Sequence, residues 1–141
     1  DQISKLPQPI AQVLQAMNSS VFLTFLEELT GIDGLIPDPY YRGGGIHQIV
    51  SGGKLDVHID FNKHTKLKLD RRLNVLLYLN KDWEESYGGH FELWSGEQVD
   101  GQHKLDECKQ RILPLFNRFV CLSFEIADLP FKIGSLSVIP K

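Results

Sequence analysis

The chain has 141 residues, 42% hydrophobic and 23% charged, a balance that suits one globular domain rather than a disordered polymer. Its 15 Lys and Arg against 18 Asp and Glu leave a net charge of -3, which excludes the basic field that holds a nucleic-acid backbone. No apolar run approaches the roughly 20 residues of a membrane-spanning helix, no signal peptide opens the chain, and Cys108 and Cys121 read as reduced thiols of a cytoplasmic protein rather than a disulfide scaffold.

The first third predicts helices. Pro9 opens a short one that runs through Met17, because proline suits a first turn whose N–H groups have no helical partner. Asn18-Ser19-Ser20 then offers capping side chains to a second helix, in which Val21, Phe22, Phe25, Leu26 and Leu29 are spaced for one apolar face. Gly31 ends it, and the Gly- and Pro-rich residues 32–45 read as a loop.

From there the texture changes to short alternating runs. Strands are predicted at 46–50, 54–60, 71–79, 90–94, 110–113, 118–125 and 133–139, with the polar residues 95–109 as a mobile insertion. Several short strands without helices between them favour a sandwich or barrel over a doubly wound sheet. The expected fold is mainly β with N-terminal helices (α+β). It forms a single domain over 1–141, in which 1–42 are helical support and 43–141 the β core.

The chemistry concentrates in Lys54-Leu55-Asp56-Val57-His58-Ile59-Asp60. On a strand, Leu55, Val57 and Ile59 point one way while His58 and Asp60 point the other. An imidazole and a carboxylate two residues apart can then meet on one divalent metal. Two histidines and one carboxylate on one face of an octahedron leave open positions for a co-substrate and dioxygen, the arrangement of non-haem Fe(II) oxygenases. Alone, His-x-Asp is a short pattern that ordinary surfaces also carry; its neighbourhood gives it weight.

Four ordered motifs supply that neighbourhood: Gly43-Gly44-Gly45-Ile46-His47 with Gly52-Gly53 and the His58 segment; Arg71-Arg72-Leu73-Asn74-Val75-Leu76-Leu77-Tyr78-Leu79-Asn80 with Trp83; Gly88-Gly89-His90-Phe91-Glu92-Leu93; and Pro114-Leu115-Phe116-Asn117-Arg118-Phe119-Val120. Over about 43–131 the chain resembles the 2-oxoglutarate/Fe(II)-dependent oxygenases of the prolyl 4-hydroxylase type. The resemblance implies a double-stranded β-helix (jelly roll), with His58 and Asp60 as the first two iron ligands. It implies Fe(II), 2-oxoglutarate and ascorbate as cofactors, and a prolyl or related residue of a peptide or protein as the substrate. Tyr78 stands where the family places a hydroxyl on the far carboxylate of 2-oxoglutarate, and a phenol can donate one directed hydrogen bond from an apolar wall. An ordinary aromatic strand residue is the alternative. Gln48 is a second candidate for a polar contact to the co-substrate, against a routine strand residue.

Two features depart from the pattern. Lys132, in Asp128-Leu129-Pro130-Phe131-Lys132-Ile133-Gly134, occupies the slot of the family's second metal histidine, and no histidine follows His103. A protonated lysine has donors but no lone pair for iron. No arginine follows Arg118 to meet the co-substrate's far carboxylate in a bidentate pair. Truncated C-terminal strands from a frameshifted or partial gene, or a natural pseudo-enzyme, would each account for both, and their loss in one terminal block favours the first. Metal is accordingly expected to be absent or weakly held, with His58 and Asp60 still face to face.

The remaining polar residues have plainer expectations. His64 and His103 read as solvated, His90 as a strand residue, Arg71 and Arg72 as partners of nearby carboxylates, and Trp83 and Trp94 as packing groups. Two rivals to the oxygenase stand beside it: a non-catalytic jelly-roll binding module, and a cupin-like metal protein using His58 with other ligands. The oligomeric state is open, since exposed edge strands could pair between chains.

Overall fold

The computed structural model describes residues 3–42, 44–61, 63–99, 102–123 and 131–135, and of residues 98, 102–103 and 131–135 the backbone alone. Two compact units divide the chain, Asp1–His47 and Gln48–Lys141.

The first unit is helical. α1 (Gln8–Met17) has Pro9 in its first turn, as its sequence predicts. α2 (Ser20–Thr30) starts where the Ser19 hydroxyl accepts the Phe22 N–H at 3.3 Å, and stops where Gly31 turns left-handed at φ 68°. Those two residues satisfy end groups that the helix itself cannot. The following loop is tied down by side chains: Asn18 exchanges two hydrogen bonds with the Asp38 backbone, and Glu27 accepts the Leu35 N–H at 2.7 Å.

The second unit is β-structured. β1 (Lys63–His64) and β2 (Leu69–Asp70) form a small hairpin. β3 (Leu73–Leu77) pairs antiparallel with β6 (Phe119–Ser123), matching Leu73 to Ser123 and Leu77 to Phe119. β4 (Phe91–Val99) lies between β5 (Gln102–Ile112) and β7 (Phe131–Ser135), antiparallel to both. Phe91 and Val120 are buried here. The chain is therefore mainly β with two N-terminal helices. A full jelly roll sets eight strands in two sheets; the described residues hold seven strands in sheets of two, two and three.

Three expectations need correction. Residues 46–50 and 54–60 form no strand; Val57 alone makes an isolated bridge. The alternation in 54–60 is real, but a strand needs a hydrogen-bonded neighbour as well as a pattern, and Leu55 and Ile59 stay 44% and 50% exposed. Ahead of this segment the chain reverses tightly. The Gly53 N–H donates to the Val50 carbonyl at 2.9 Å, and a Cβ on Gly53 would sit 2.8 Å from Ile49 Cγ2.

The third correction is the supposed insertion at 95–109, which is instead the long arm of the β4–β5 hairpin. Val99 pairs with Gln102, and Asp100 and Gly101 between them lie outside the described residues; as a sequence, Asp-Gly is one of the pairs favoured in two-residue hairpin loops. The arm is rich in polar and charged residues, among them Glu97, Lys104, Asp106 and Glu107, yet it is paired.

Candidate metal centre

His58 and Asp60 sit in extended chain rather than in a ladder, yet their side chains meet. His58 Nε2 lies 3.4 Å from Asp60 Oδ1. The other ring nitrogen, Nδ1, lies 2.8 Å from the Asp56 carbonyl oxygen. A carbonyl can only accept, so this contact puts the hydrogen on Nδ1 and leaves the Nε2 lone pair facing Asp60 in the neutral ring. The histidine side chain is 44% exposed and the aspartate 24%.

Asp60 is fixed from the opposite side by the start of β3. Its Oδ2 accepts from Asn74 Nδ2 at 3.0 Å and lies 3.3 Å from Arg71 Nη1. Arg71 Nη2 donates to Asn74 Oδ1 at 2.8 Å, which closes a three-residue ring of contacts. The guanidinium also lies over the Phe61 ring, 4.6 Å from its centroid. Burial pulls the Arg71 pKa below its ordinary value, with Asp60 opposing that pull. Asp60 is thus a carboxylate partner of Arg71.

Tyr78 extends β3 by one pair: its N–H donates to the Arg118 carbonyl at 2.9 Å, and its carbonyl accepts the Asn117 N–H at 2.8 Å. Asn74 and Leu76 share one face of β3 by strand alternation, and Tyr78 follows the strand's last residue, Leu77. Burial pushes its phenol up to about 12. Gln48 is exposed and lies in irregular chain. Lys132 is opposite Trp94 in the β4–β7 register; its side chain, residues 124–130 and residues 136–141 fall outside the described part.

One of the other histidines is not where the sequence suggested. His64 is buried, not solvated, and its Nδ1 accepts the Leu67 N–H at 3.1 Å within the β1–β2 hairpin. His90 is also buried, 3.7 Å from Glu85 and 3.4 Å from Arg111, beside a buried Glu92 whose two oxygens accept from Arg111 Nε and Trp94 Nε1, each at 2.9 Å. His103 has its side chain outside the described part. Trp83 is half-buried, donates to the Gly88 carbonyl at 3.0 Å and meets Tyr87 edge-on.

Among the described residues no group of three His, Cys, Asp or Glu side chains could hold a metal ion. The donors that fit one are the His58 nitrogen and the Asp60 oxygen, an imidazole with its second nitrogen tied and a carboxylate with its second oxygen tied, the supported form that metal ligands take. Asn74 is the residue that sequence reasoning missed. Its signal is a lone amide inside the apolar run Leu73–Leu77, since a polar group on a packed strand needs a partner.

No curated protein and no solved structure matches the chain significantly. A family profile does, that of the 2OG-Fe(II) oxygenase superfamily, over residues 44–127. That span holds more than half of the sequence, including His58, Asp60, Arg71, Asn74 and Tyr78, and the chain belongs to this superfamily.

Proposed function

We propose that the chain is an Fe(II)- and 2-oxoglutarate-dependent dioxygenase domain of prolyl 4-hydroxylase type, on a double-stranded β-helix scaffold, whose activity is impaired by Lys132. Family membership implies the use of Fe(II) and 2-oxoglutarate. The observation that carries the reading is the meeting of His58 Nε2 with Asp60 Oδ1 inside the matched span. Ascorbate as a reductant, a prolyl or related residue of a peptide as substrate, and a cytoplasmic location belong to the same reading. Among the described residues no helix is long and apolar enough to cross a membrane.

When bound, iron and 2-oxoglutarate supply dioxygen activation and the hydroxylation of a C–H bond. The protein's own groups hold and orient. His58 and Asp60 are the two iron ligands, with the Asp56 carbonyl and the Asn74 amide keeping each in place. The Tyr78 phenol, raised by burial, keeps its proton and donates to the co-substrate's far carboxylate. Gln48 offers a weaker polar contact. Lys132 stands in the sequence slot of the family's second metal histidine, and a protonated lysine has no lone pair to supply as the third donor.

Succinate release from 2-oxoglutarate under saturating Fe(II) and ascorbate tests this. Slow release by the native chain, faster release by Lys132→His and none by His58→Ala are the expected results. Silence from both the native chain and Lys132→His would refute the oxygenase reading and leave the non-catalytic binding module. Incubation with proline-containing peptides, read by mass spectrometry as the gain of one oxygen, tests the substrate class.

A further inference from the structure

We infer that Asn74 and Arg71 are positioning residues that tie up Oδ2 of Asp60, so that the carboxylate meets a divalent cation through Oδ1 alone, on the His58 side. The inference rests on the proposed role of His58 and Asp60 and adds to it a coordination mode and the residues that impose it.

The bonding leaves few alternatives. A guanidinium has hydrogens to donate and nothing to accept with, so Arg71 Nη2 at 2.8 Å requires the oxygen of the Asn74 amide to face it. That orientation turns the Asn74 nitrogen toward Asp60, where it donates to Oδ2 at 3.0 Å. Arg71 Nη1 at 3.3 Å adds a charged contact to the same oxygen. Arg71 therefore acts twice, directly and by setting the amide. Oδ2 carries two contacts, while the contact made by Oδ1 is to His58 Nε2. A cation drawing on both oxygens would have to displace the amide and sit next to a guanidinium, against direct charge repulsion.

The ring is also stiff at its base. Asn74 lies on β3 in register with Leu122 of β6, and the Arg71 guanidinium is stacked on Phe61. Asp60, in contrast, belongs to a stretch with no ladder of its own. The sheet thus lends its rigidity to the acid through one amide. Loss of such an outer partner typically weakens metal binding roughly 10–100-fold.

Mn(II) titrations of the full chain, followed by water-proton relaxation without 2-oxoglutarate, test the inference. Asn74→Ala is expected to weaken Mn(II) binding roughly 10–100-fold with little change in the urea unfolding midpoint. Asn74→Asp, which keeps the shape and removes the donor, should weaken it at least as much. Equal Mn(II) affinity in the native chain and both variants overturns the inference while the ligand pair stands. If the native chain binds Mn(II) no better than His58→Ala, both fall. A measurement on the unaltered chain guards against variants that merely unfold. With carboxyl-labelled aspartate, the infrared carboxylate bands of the Mn(II) form should be widely split, as for one-oxygen coordination, and a narrow two-oxygen splitting overturns the inference.

Discussion

A phenol pushed to about 12 by burial keeps its proton throughout the neutral range, so Tyr78 is a fixed donor rather than a titrating one. The sign of the effect on stability follows. The unfolded tyrosine ionises near pH 10, the folded one near 12, so the stabilisation from burying the neutral ring is complete below pH 10 and is lost between 10 and about 12. In a spectrophotometric titration of the native chain, Tyr78→Phe should remove the latest tyrosinate step and soften the alkaline fall in stability. The same variant should bind 2-oxoglutarate roughly 5- to 10-fold more weakly, the effect of one lost hydrogen bond of about 1 kcal/mol, as measured by calorimetry. That His58 and Asp60 meet was legible from their two-residue spacing. Asn74 was not, because an amide in a strand has no pattern of its own and its meaning lies in Arg71 and Asp60 on either side.

Elements were legible where a local signal suffices. Ser19 and Gly31 delimit α2 through bonds made within a few residues, which is why the sequence reading and the structure agree there. Ser19→Ala should lower the stability of the helical unit by about 1 kcal/mol, visible as earlier loss of far-ultraviolet helical signal on heating. The β4–β5 arm was misread because its charged outer residues lack apolar alternation, although Asp100-Gly101 carried the hairpin signal. Its ladder has register shifts between Leu93 and Trp94 and between Trp94 and Gly96. A Cβ on Gly96 would lie 2.4 Å from the Lys104 carbonyl oxygen, a backbone atom that cannot swing away. Gly96→Ala should therefore cost roughly 1–3 kcal/mol in urea unfolding.

At the scale of the whole molecule, protection is concentrated in the three-stranded sheet. β4 has a bonded neighbour on both sides over Phe91–Trp94, whereas 46–60 has no ladder. Hydrogen exchange read by mass spectrometry should find the slowest amides at 91–94 and rapid exchange at 46–60; similar rates in both would contradict this division. The strand pattern at 54–60 misled for the same reason. Alternation states which side chains go together, but the partner that turns an extended run into a sheet comes from distant residues that a single segment does not announce.

The two halves of the His58–Asp60 pair are unequal: the acid is moored to a sheet, and the ring, 44% open to water, hangs from its own loop by one backbone bond. Any ion lodged between them would keep its grip on the moored oxygen longest. Its arrival and escape would follow the swing of the imidazole, so residence time and tightness of hold become separately adjustable properties.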